Sequence, residues 1–600
     1  DKYGFMWFGT WDGLVKFDGY VFKIYRSGEK NRAEGLSDNK ILATVTDSKQ
    51  DVWVLTANSR YVSKYNYEAD NFTRYLYSES PQDVIKMFVQ QRDRGNVTVS
   101  NNKFKWRFES NKLVQSNLLT GEVFEYKPEL NNPFSLNDSQ INCLYLDDHE
   151  NLWIATQNGG VNHANLKIKP FVNYLKDKNG KSLADPVVRA ICKDKQNRLW
   201  IGSEGSGITI IEKTPSGNVY KYIGRENFPN AEIRSLLCDK SGNIWIGTKG
   251  GLFQYNNQSQ KLTQIKGVEI NVFSLFEDKT GLVWIGTFGG LYTFDPTNKR
   301  LGHLNPENTS GGKEIRAIIE DRNRNLWIAT EDKGLTKMIS KGKDNYETKR
   351  YIHNDENPNS LANDHVYSIV EDGNGQIWAA TNGGISLINE STDKIQNITS
   401  ANGLPDNSIM GLLFDGENSI WVSHKKGLTR INSKSLEMQN FNMHDGLQGM
   451  EFCQSSCFHD PATGEFYFGG TNGMNSFFPD KIHINNVKPK AVFTKLTVAN
   501  QTIEPETKIN NRLILGKSIV CAKELTLTWW DKTFSLEFSA LHYANPQGNK
   551  YKYRLVGYDK DWIQVDASRR TVWYSNLPSG KYRFEVFASN SDGVWSDSPA

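Results

Sequence analysis

The sequence predicts an all-β protein: tandem β-propellers followed by a C-terminal immunoglobulin-like β-sandwich. Three observations lead to this prediction: a recurring tryptophan motif, a fixed aspartate-to-tryptophan spacing within it, and a change of strand pattern near residue 487. The motif is clearest in DKSGNIWIGTKGGL, Asp239 to Leu252. It has the composition of a hairpin turn, a short apolar strand and an exit through Gly and Thr.

In nine copies of the motif, the tryptophan follows an aspartate by six residues. These tryptophans are Trp7, Trp53, Trp153, Trp200, Trp245, Trp284, Trp327, Trp378 and Trp421. Tyr467 replaces the tryptophan in a tenth copy, and Trp106 marks a degenerate eleventh. Neighbouring copies are mostly 39 to 53 residues apart, the period of a four-stranded propeller blade. Because the spacing is equal in each copy, we expect the aspartates to cap turns and the tryptophans to fill the core.

The period also predicts where the domains begin and end. Seven copies end at Tyr467, so we expect a seven-bladed propeller at residues 176–483. The four copies within residues 1–175 are too few to close a ring, so we expect a first propeller with cryptic blades or with blades outside these 600 residues. Alternating strands such as FSLEFSAL and YRFEVFASN predict the β-sandwich at 487–600. LTLTWW is predicted as a sandwich strand whose Trp529 and Trp530 lie in the core or against a propeller.

Composition argues against several classes of protein. The chain has 71 basic and 68 acidic residues, a net charge of +3, and no basic run interleaved with aromatics, so no nucleic-acid partner is expected. No stretch approaches about 18 apolar residues and there is no signal peptide, as in a soluble or processed chain. The six cysteines form no CxxC pair and no histidines have metal-ligand spacing, so we expect no metal or cofactor. We interpret Cys192 and Cys238 as buried thiols.

The first candidate site is the position eleven residues before each tryptophan of the second propeller. In a propeller this position would line the central channel, one residue per blade. The residues are Arg189, Arg234, Phe273, Arg316, Tyr367, Met410 and Ser456. Three arginines and two aromatics would suit a sugar that carries carboxylate or sulfate, because arginine donates bidentate hydrogen bonds to such groups. The alternative is that each arginine pairs with an acid of its own or the adjacent blade.

The second candidate site is the loop that follows the Gly-Thr exit of the motif. Its residues vary while the surrounding pattern does not, as expected of loops displayed on a scaffold. The predicted ligand-binding residues here are Phe288, His424 and Lys425, with Trp11 and Lys426 at related positions. The alternative is that these side chains are solvated loop tips.

Two features resemble a known family. The blade signature DxxGxΦWΦGTxxGL is similar to the two-component-regulator propeller repeat. The C-terminal segment YKYRLVGYDKDWIQV…YSNLPSGKYRFEVFASNSDGVWS is similar to the three-tyrosine domain of the same regulators, with Tyr553, Tyr574 and Tyr582 at the tyrosine positions. Together they resemble the extracytoplasmic sensor region of hybrid two-component systems from gut Bacteroidetes. The family generally has two seven-bladed propellers, and this chain departs from that pattern in its N-terminal third.

The resemblance implies a periplasmic, dimeric sensor that detects glycan fragments and controls polysaccharide-utilisation genes. It implies a membrane tether after Ala600 that leads to histidine-kinase and response-regulator modules. The predicted partner is an oligosaccharide, and the arginines favour an acidic one. No GxSxG, HExxH or phosphate loop is present, so no catalytic residue is predicted in this region. Two alternatives stay open: a propeller scaffold for protein interactions and a carbohydrate-active enzyme.

Overall fold

The computed structural model describes residues 1–28, 35–58, 60–94, 97–129, 135–167, 169–177, 182–214, 217–304, 309, 311–342 and 345–600. The chain divides into two compact units. The first unit combines residues 1–167 with residues 484–600, and the second comprises residues 168–483. No helix among the described residues has both the length and the apolar character needed to cross a bilayer.

The N-terminal part of the first unit contains four antiparallel sheets and one α-helix. The first sheet is β1 (Met6–Thr10), β2 (Gly13–Phe17) and β3 (Phe22–Tyr25), and the second is β4 (Ile41–Thr46), β5 (Val52–Thr56), β6 (Tyr61–Asn66) and β7 (Asn71–Leu76). Helix α1 (Gln82–Arg94) follows. The third sheet is β8 (Thr98–Ser100), β9 (Phe104–Glu109), β10 (Lys112–Asn117) and β11 (Val123–Tyr126), and the fourth is β12 (Ile141–Leu146), β13 (Asn151–Thr156) and β14 (Val161–Asn165).

These four sheets correspond to the motif copies predicted from the sequence. Trp106 lies in β9, the second strand of a complete four-stranded sheet, so the degenerate copy forms a blade. The first and fourth sheets are neighbours, since the Trp153 ring lies 5.7 Å from that of Phe8 and 6.4 Å from that of Phe17. The first and fourth of these sheets are therefore in contact, and the number of blades in the first propeller stays a prediction.

The second unit contains seven four-stranded antiparallel sheets, as predicted. Its strands are β15 (Val172–Tyr174), β16 (Val188–Lys193), β17 (Leu199–Ser203), β18 (Ile208–Thr214), β19 (Gly217–Ile223), β20 (Ile233–Cys238), β21 (Ile244–Thr248), β22 (Gly251–Asn256), β23 (Lys261–Gln264), β24 (Val272–Glu277), β25 (Val283–Thr287), β26 (Gly290–Asp295), β27 (Arg300–Leu304), β28 (Ile315–Glu320), β29 (Leu326–Thr330), β30 (Leu335–Gly342), β31 (Asn345–Tyr351), β32 (Val366–Glu371), β33 (Ile377–Thr381), β34 (Gly384–Asn389), β35 (Lys394–Ile398), β36 (Ile409–Phe414), β37 (Ser419–His424), β38 (Gly427–Asn432), β39 (Met438–Phe441), β40 (Phe452–His459), β41 (Phe466–Gly470) and β42 (Gly473–Phe477). The leading strands of successive sheets contact one another, and β40 contacts β16, so the ring is closed.

The seventh sheet joins the two ends of this propeller. Strand β15 pairs antiparallel with β42, so residues from the start of the unit complete its last blade. Phe171 packs on Phe441 and Phe477, with ring centroids 5.6 and 4.9 Å away. The boundary predicted at residue 175 therefore falls after a strand that belongs to the second propeller.

The structure explains the six-residue spacing between aspartate and tryptophan. In all nine copies one carboxylate oxygen accepts the backbone N–H four residues on, which closes the turn. In eight copies the other oxygen accepts the tryptophan indole N–H at 2.7 to 3.1 Å. The exception is Trp421, whose Nε1 has no hydrogen-bond partner among the described residues. The predicted turn-capping and core roles are confirmed.

The sandwich at the C-terminus has a four-stranded sheet with the order β44-β43-β47-β50 and a three-stranded sheet with the order β49-β48-β51. Its strands are β43 (Val492–Val498), β44 (Gln501–Ile503), β45 (Lys508–Ile509), β46 (Arg512–Leu513), β47 (Thr533–Ser539), β48 (Lys550–Val556), β49 (Ile563–Asp566), β50 (Thr571–Ser575) and β51 (Arg583–Ser589). Short 3₁₀ helices are at Tyr77–Glu79, Arg225–Asn227, Ser400–Asn402, Met443–Asp445, Pro479–Lys481, Pro546–Gly548 and Ala567–Arg569. The predicted fold class is confirmed.

The prediction for LTLTWW is wrong. This segment forms no strand, and it ends in a turn where Trp529 and Trp530 are 71% and 64% exposed. The two indoles stack on each other with centroids 3.7 Å apart. The turn is fixed by buried Asp531, whose carboxylate accepts from the backbone of Thr528 at 2.7 Å and forms an ion pair with Arg512. An alternating pattern specifies a strand only when a neighbouring strand supplies hydrogen-bond partners.

Within the first unit, the sandwich packs directly on the first sheet. The Tyr543 hydroxyl donates to the carbonyl of Gly4, just before β1, at 2.8 Å and accepts the N–H of Met6 in β1 at 3.2 Å. The Ser539 hydroxyl donates to the carbonyl of Asp18 at 2.6 Å. Tyr543 and Ser539 are buried, so these hydrogen bonds to the backbone satisfy their hydroxyl groups and fix the sandwich against the first sheet.

Candidate functional site

Each leading strand of the second propeller carries a β-bulge at the predicted channel position. The pairing with the second strand of the blade skips one residue in six blades, and in the seventh it skips the segment 453–456. The skipped residues are Arg189, Arg234, Phe273, Arg316, Tyr367, Met410 and, within the longer irregularity, Ser456. A bulge redirects the side chain of its extra residue. Seven blades thus present one redirected side chain each; we refer to these residues as the bulge ring.

The strand register brings the second set of candidates to the same end of the propeller. The first residue of each leading strand pairs with the last residue of the second strand, as in Val272 with Thr287 and Ile409 with His424. Phe288 and Lys425 follow these last residues directly. The bulge ring and the loops after the Gly-Thr exits therefore lie at one end of the seven-bladed propeller.

Each arginine of the bulge ring forms an ion pair with a glutamate of its own blade. The pairs are Arg189–Glu204, Arg234–Glu232, and Arg316 with both Glu314 and Glu331. The nitrogen–oxygen distance is 3.0 Å for Arg189, and 3.0 and 2.7 Å for the two pairs of Arg316. The alternative considered from the sequence, intramolecular pairing, is thus what the structure contains.

The aromatic residues of the bulge ring are mostly buried. Phe273 is 8% and Tyr367 is 5% exposed. The guanidinium carbon of Arg316 lies 3.9 Å from the centroid of the Phe273 ring, and that of Arg234 lies 5.4 Å away. The face of Phe273 is therefore engaged by arginines, an arrangement that stabilises cations in a partly dehydrated channel.

Burial and neighbouring charges shift ionisation within the bulge ring. Burial lowers the pKa of Arg234 below its usual value; Glu232 opposes this shift, while Arg189 and Arg316 add to it. Burial also raises the pKa of Tyr367. Arg234 and Arg316, from different blades, also lie over the same ring of Phe273, so these side chains form one cluster.

The loop candidates differ in their exposure. Phe288 is 55% exposed and Lys425 is also exposed, as predicted for displayed positions. The prediction that His424 is displayed in the loop is wrong, because His424 ends β37 and is fully buried. Its Nδ1 accepts the N–H of Lys426 at 3.1 Å, the role that the Thr248 hydroxyl has for Gly250 at 3.0 Å. His424 therefore occupies the turn-capping threonine position of the other blades.

A groove of about 270 Å³ adjoins the bulge ring. Its lining includes Glu204 and Glu232, the partners of two ring arginines, together with Arg225, Phe228 and Asn230. Small-molecule sites typically measure about 300–1,000 Å³, so the groove has room for a small group such as the end of a chain. The carboxylates connect the groove to the bulge ring.

The sequence interpretation missed the glutamates, although a local signal for two of them was present. The tripeptide EIR occurs at 232–234 and at 314–316, so two ring arginines have an acid two residues before them in the same strand segment. Glu204 and Glu331 follow the second strands of their blades, at positions where the other blades have Lys, Phe, Asn or Thr. Among the described residues no group of three or more His, Cys, Asp or Glu side chains is arranged to hold a metal ion.

Two protein-family models match the chain. The model "Two component regulator propeller" matches residues 135–158, 182–205, 227–250, 267–289, 309–332 and 360–383. The model "Y_Y_Y domain" matches residues 542–600. The repeats matched in this way include six of the eleven motif copies identified from the sequence.

The chain is also similar to proteins of two bacteria. It is 24% identical over 592 residues to "Histidine kinase P4" of Formosa agariphila, covering 98% of this chain and 33% of that protein. The chain thus spans about a third of the length of this curated relative. The structure of the extracellular domain described as hybrid two component system BT3049 from B. thetaiotaomicron matches with a TM-score of 0.73 and 22% identity, covering 100% of this chain and 96% of that one.

A second such extracellular domain, BT4673 of the same organism, matches with a TM-score of 0.45 and 19% identity, covering 100% of this chain and 84% of that one. At 22% identity, the similarity to the BT3049 domain establishes the fold. The family models confirm the predicted resemblance: this chain combines two-component-regulator propeller repeats with a Y_Y_Y domain.

Proposed function

We propose that the chain is the extracellular sensor region of a hybrid two-component system and that its ligand is a glycan fragment. The combination of propeller repeats with a Y_Y_Y domain supports the sensor role. The bulge ring and its groove support the ligand-binding role, because polar and charged side chains from several blades converge at one end of a single propeller. That convergence is the observation on which the ligand site rests.

The same geometry favours binding over catalysis. Glu204, Glu232, Glu314 and Glu331 each form an ion pair with a ring arginine, so these carboxylates hold the arginines in place. We therefore propose a region without catalytic activity, whose histidine kinase and response-regulator modules lie elsewhere in the full-length protein.

We further propose that ligand binding shifts an equilibrium between two conformations of the sensor. A ligand shifts such an equilibrium only by its difference in affinity for the two states. Dimerisation, periplasmic location and a membrane tether are parts of this proposal that derive from the family resemblance, and control of polysaccharide-utilisation genes derives from it as well.

The test is calorimetric titration of the purified chain with oligosaccharide panels of defined linkage. We expect saturable heat with at least one glycan and no accumulation of product. The double variant Arg189→Ala, Arg234→Ala should weaken binding at least tenfold, whereas Arg300→Ala, on an outer strand, should bind like the wild type. Unchanged binding by the double variant would exclude the bulge ring as the site. Turnover would favour an enzyme, and no heat with any glycan would favour an interaction scaffold.

A further inference from the structure

We infer that the bulge ring and its groove select an uncharged, hydroxyl-rich sugar unit and discriminate against sugars that carry carboxylate or sulfate. This inference rests on the proposed function, since it narrows the class of glycan that the site accepts. It also differs from the expectation that the three arginines raise when they are considered from the sequence alone.

The first argument is the charge balance of the site. The bulge-ring arginines and the charged residues paired with them comprise four cationic side chains and four carboxylates. They are Arg189, Arg234, Arg316 and Lys249 on one side, and Glu204, Glu232, Glu314 and Glu331 on the other. An incoming carboxylate or sulfate would meet glutamates already within 3.0 Å of two of the arginines. Repulsion from these fixed carboxylates opposes binding of a second anion.

The second argument is the hydrogen-bonding capacity that remains. Arg189 and Arg234 pair with their glutamates through Nη2, and their side chains are 24% and 21% exposed. A guanidinium group carries five N–H donors, so donors remain beside each ion pair. A carboxylate has about four lone-pair sites, so Glu204 and Glu232 can accept further bonds beside their ion pairs. The site therefore offers donors and acceptors side by side. A sugar hydroxyl is both donor and acceptor and can satisfy both, whereas a carboxylate or sulfate can only accept.

The third argument is the composition of the groove. Its lining is mostly polar, with the amide of Asn230 beside the carboxylates of Glu204 and Glu232, while the ring of Phe228 is only 6% exposed. Arg225 is exposed on the same groove, where water and salt screen its attraction for an anion. Amide and carboxylate groups together offer partners to the O–H groups of a pyranose.

The test compares matched neutral and acidic probes on the intact chain. Neutral manno-, galacto-, arabino-, xylo- and gluco-oligosaccharides of three to six units would be titrated in parallel with oligogalacturonates and sulfated galactan oligosaccharides of equal length. We expect the tightest ligand to be neutral, with a Kd that changes less than twofold between 50 and 500 mM NaCl. A tighter acidic ligand with strongly salt-dependent affinity would overturn the inference but leave the proposed function intact. Binding of no glycan would overturn both.

Two substitutions test the role of the glutamates. Glu232→Gln removes a hydrogen-bond acceptor and the ion-pair partner of Arg234. It should therefore lower the affinity for a neutral ligand about tenfold or more and raise the affinity for oligogalacturonate. Glu204→Gln tests the same role of a glutamate acceptor. Because the Glu204 side chain is 43% exposed, this substitution disturbs folding less. Glu212→Gln is the matched control, because Glu212 pairs with Lys221 at 3.3 Å on exposed strands outside the ring. Equal effects of all three substitutions on glycan affinity would contradict the inference. Unchanged selectivity between neutral and acidic glycans in Glu232→Gln and Glu204→Gln would contradict it as well.

Discussion

The hydrogen bond between tryptophan and aspartate makes a measurable contribution to the second propeller, and the chain contains its own control. Trp378 donates to Asp372 at 3.1 Å, with both residues almost completely buried. Trp421 is equally buried but has no partner for its Nε1 among the described residues. Trp378→Phe and Trp421→Phe therefore remove the same atoms, and only the first removes a hydrogen bond.

The expected difference follows from the charge of the acceptor. Hydrogen bonds to charged groups contribute about 1.5–3 kcal/mol, and the buried carboxylate oxygen of Asp372 that accepts from Trp378 loses this donor when Trp378 is replaced. A domain of 150–250 residues loses about 2–4 °C of Tm per kcal/mol, and this unit spans residues 168–483, so the lower value applies. We expect Trp378→Phe to lower Tm by about 3–6 °C more than Trp421→Phe.

Scanning calorimetry of the whole chain gives the thermal unfolding midpoints directly. A second measurement isolates the contribution of the hydrogen bond between Trp378 and Asp372. In an Asp372→Asn background, Trp378→Phe should cost little beyond the packing loss, because partners in one hydrogen bond are not additive. Equal midpoint shifts for the two tryptophan variants, or additive effects of the Asp372 and Trp378 changes, would refute the structural role assigned to the six-residue spacing.

Two further predictions concern pH and the linker to the sandwich. Burial lowers the pKa of His424 to about 4, so the unfolded chain takes up this proton first and stability falls as pH falls from 6.5 towards 4. His424→Thr should therefore remove about 2 kcal/mol of the stability loss at pH 5, measured as a smaller change in Tm between pH 7 and pH 5; an unchanged difference would contradict this. The Asn590 amide donates to the carbonyls of Asn485 at 2.6 Å and Val487 at 2.8 Å. Asn590→Ala should accelerate hydrogen exchange at Asn485 and leave exchange in β22 unchanged; equal acceleration in both would indicate global destabilisation instead.

The blades could be predicted from the sequence because their determinants are local. Each copy spans seven residues from its aspartate to its tryptophan. This segment contains both partners of the side-chain hydrogen bond and the N–H that closes the turn, so the local sequence of each copy specifies its structure. The sandwich segment LTLTWW could not be predicted in this way. Its strand character depended on a neighbouring strand, and the turn held by Asp531 and Arg512 formed instead.

The candidate site was predictable in position but not in chemistry. Equal spacing from the tryptophan located Arg189 and its equivalents at one level, and the bulges place them there. The spacing from the tryptophan carried no information about which side chain pairs with each ring arginine. That pairing depends on the register between the first and second strands of the blade. His424 shows the same limit. Its variation between blades suggested a displayed loop, whereas alignment with Thr248 across blades locates it at the end of a strand.

The pairing of each ring arginine within its own blade has a consequence for how such a site can change. A blade contributes one bulge residue, and a buried cation at that point requires a compensating anion close by. Arg234 and Glu232 come from one strand segment, and Glu232 also pairs with Lys249 of the same blade. In the next blade with a ring arginine, Arg316 pairs with two glutamates of its own blade. Because these ion pairs lie within single blades, a substitution in one blade can alter the hydrogen bonds offered to a ligand while the ion pairs of the other blades keep their partners. Ligand selectivity can therefore vary one blade at a time while the hydrogen bonds between aspartate and tryptophan stay fixed.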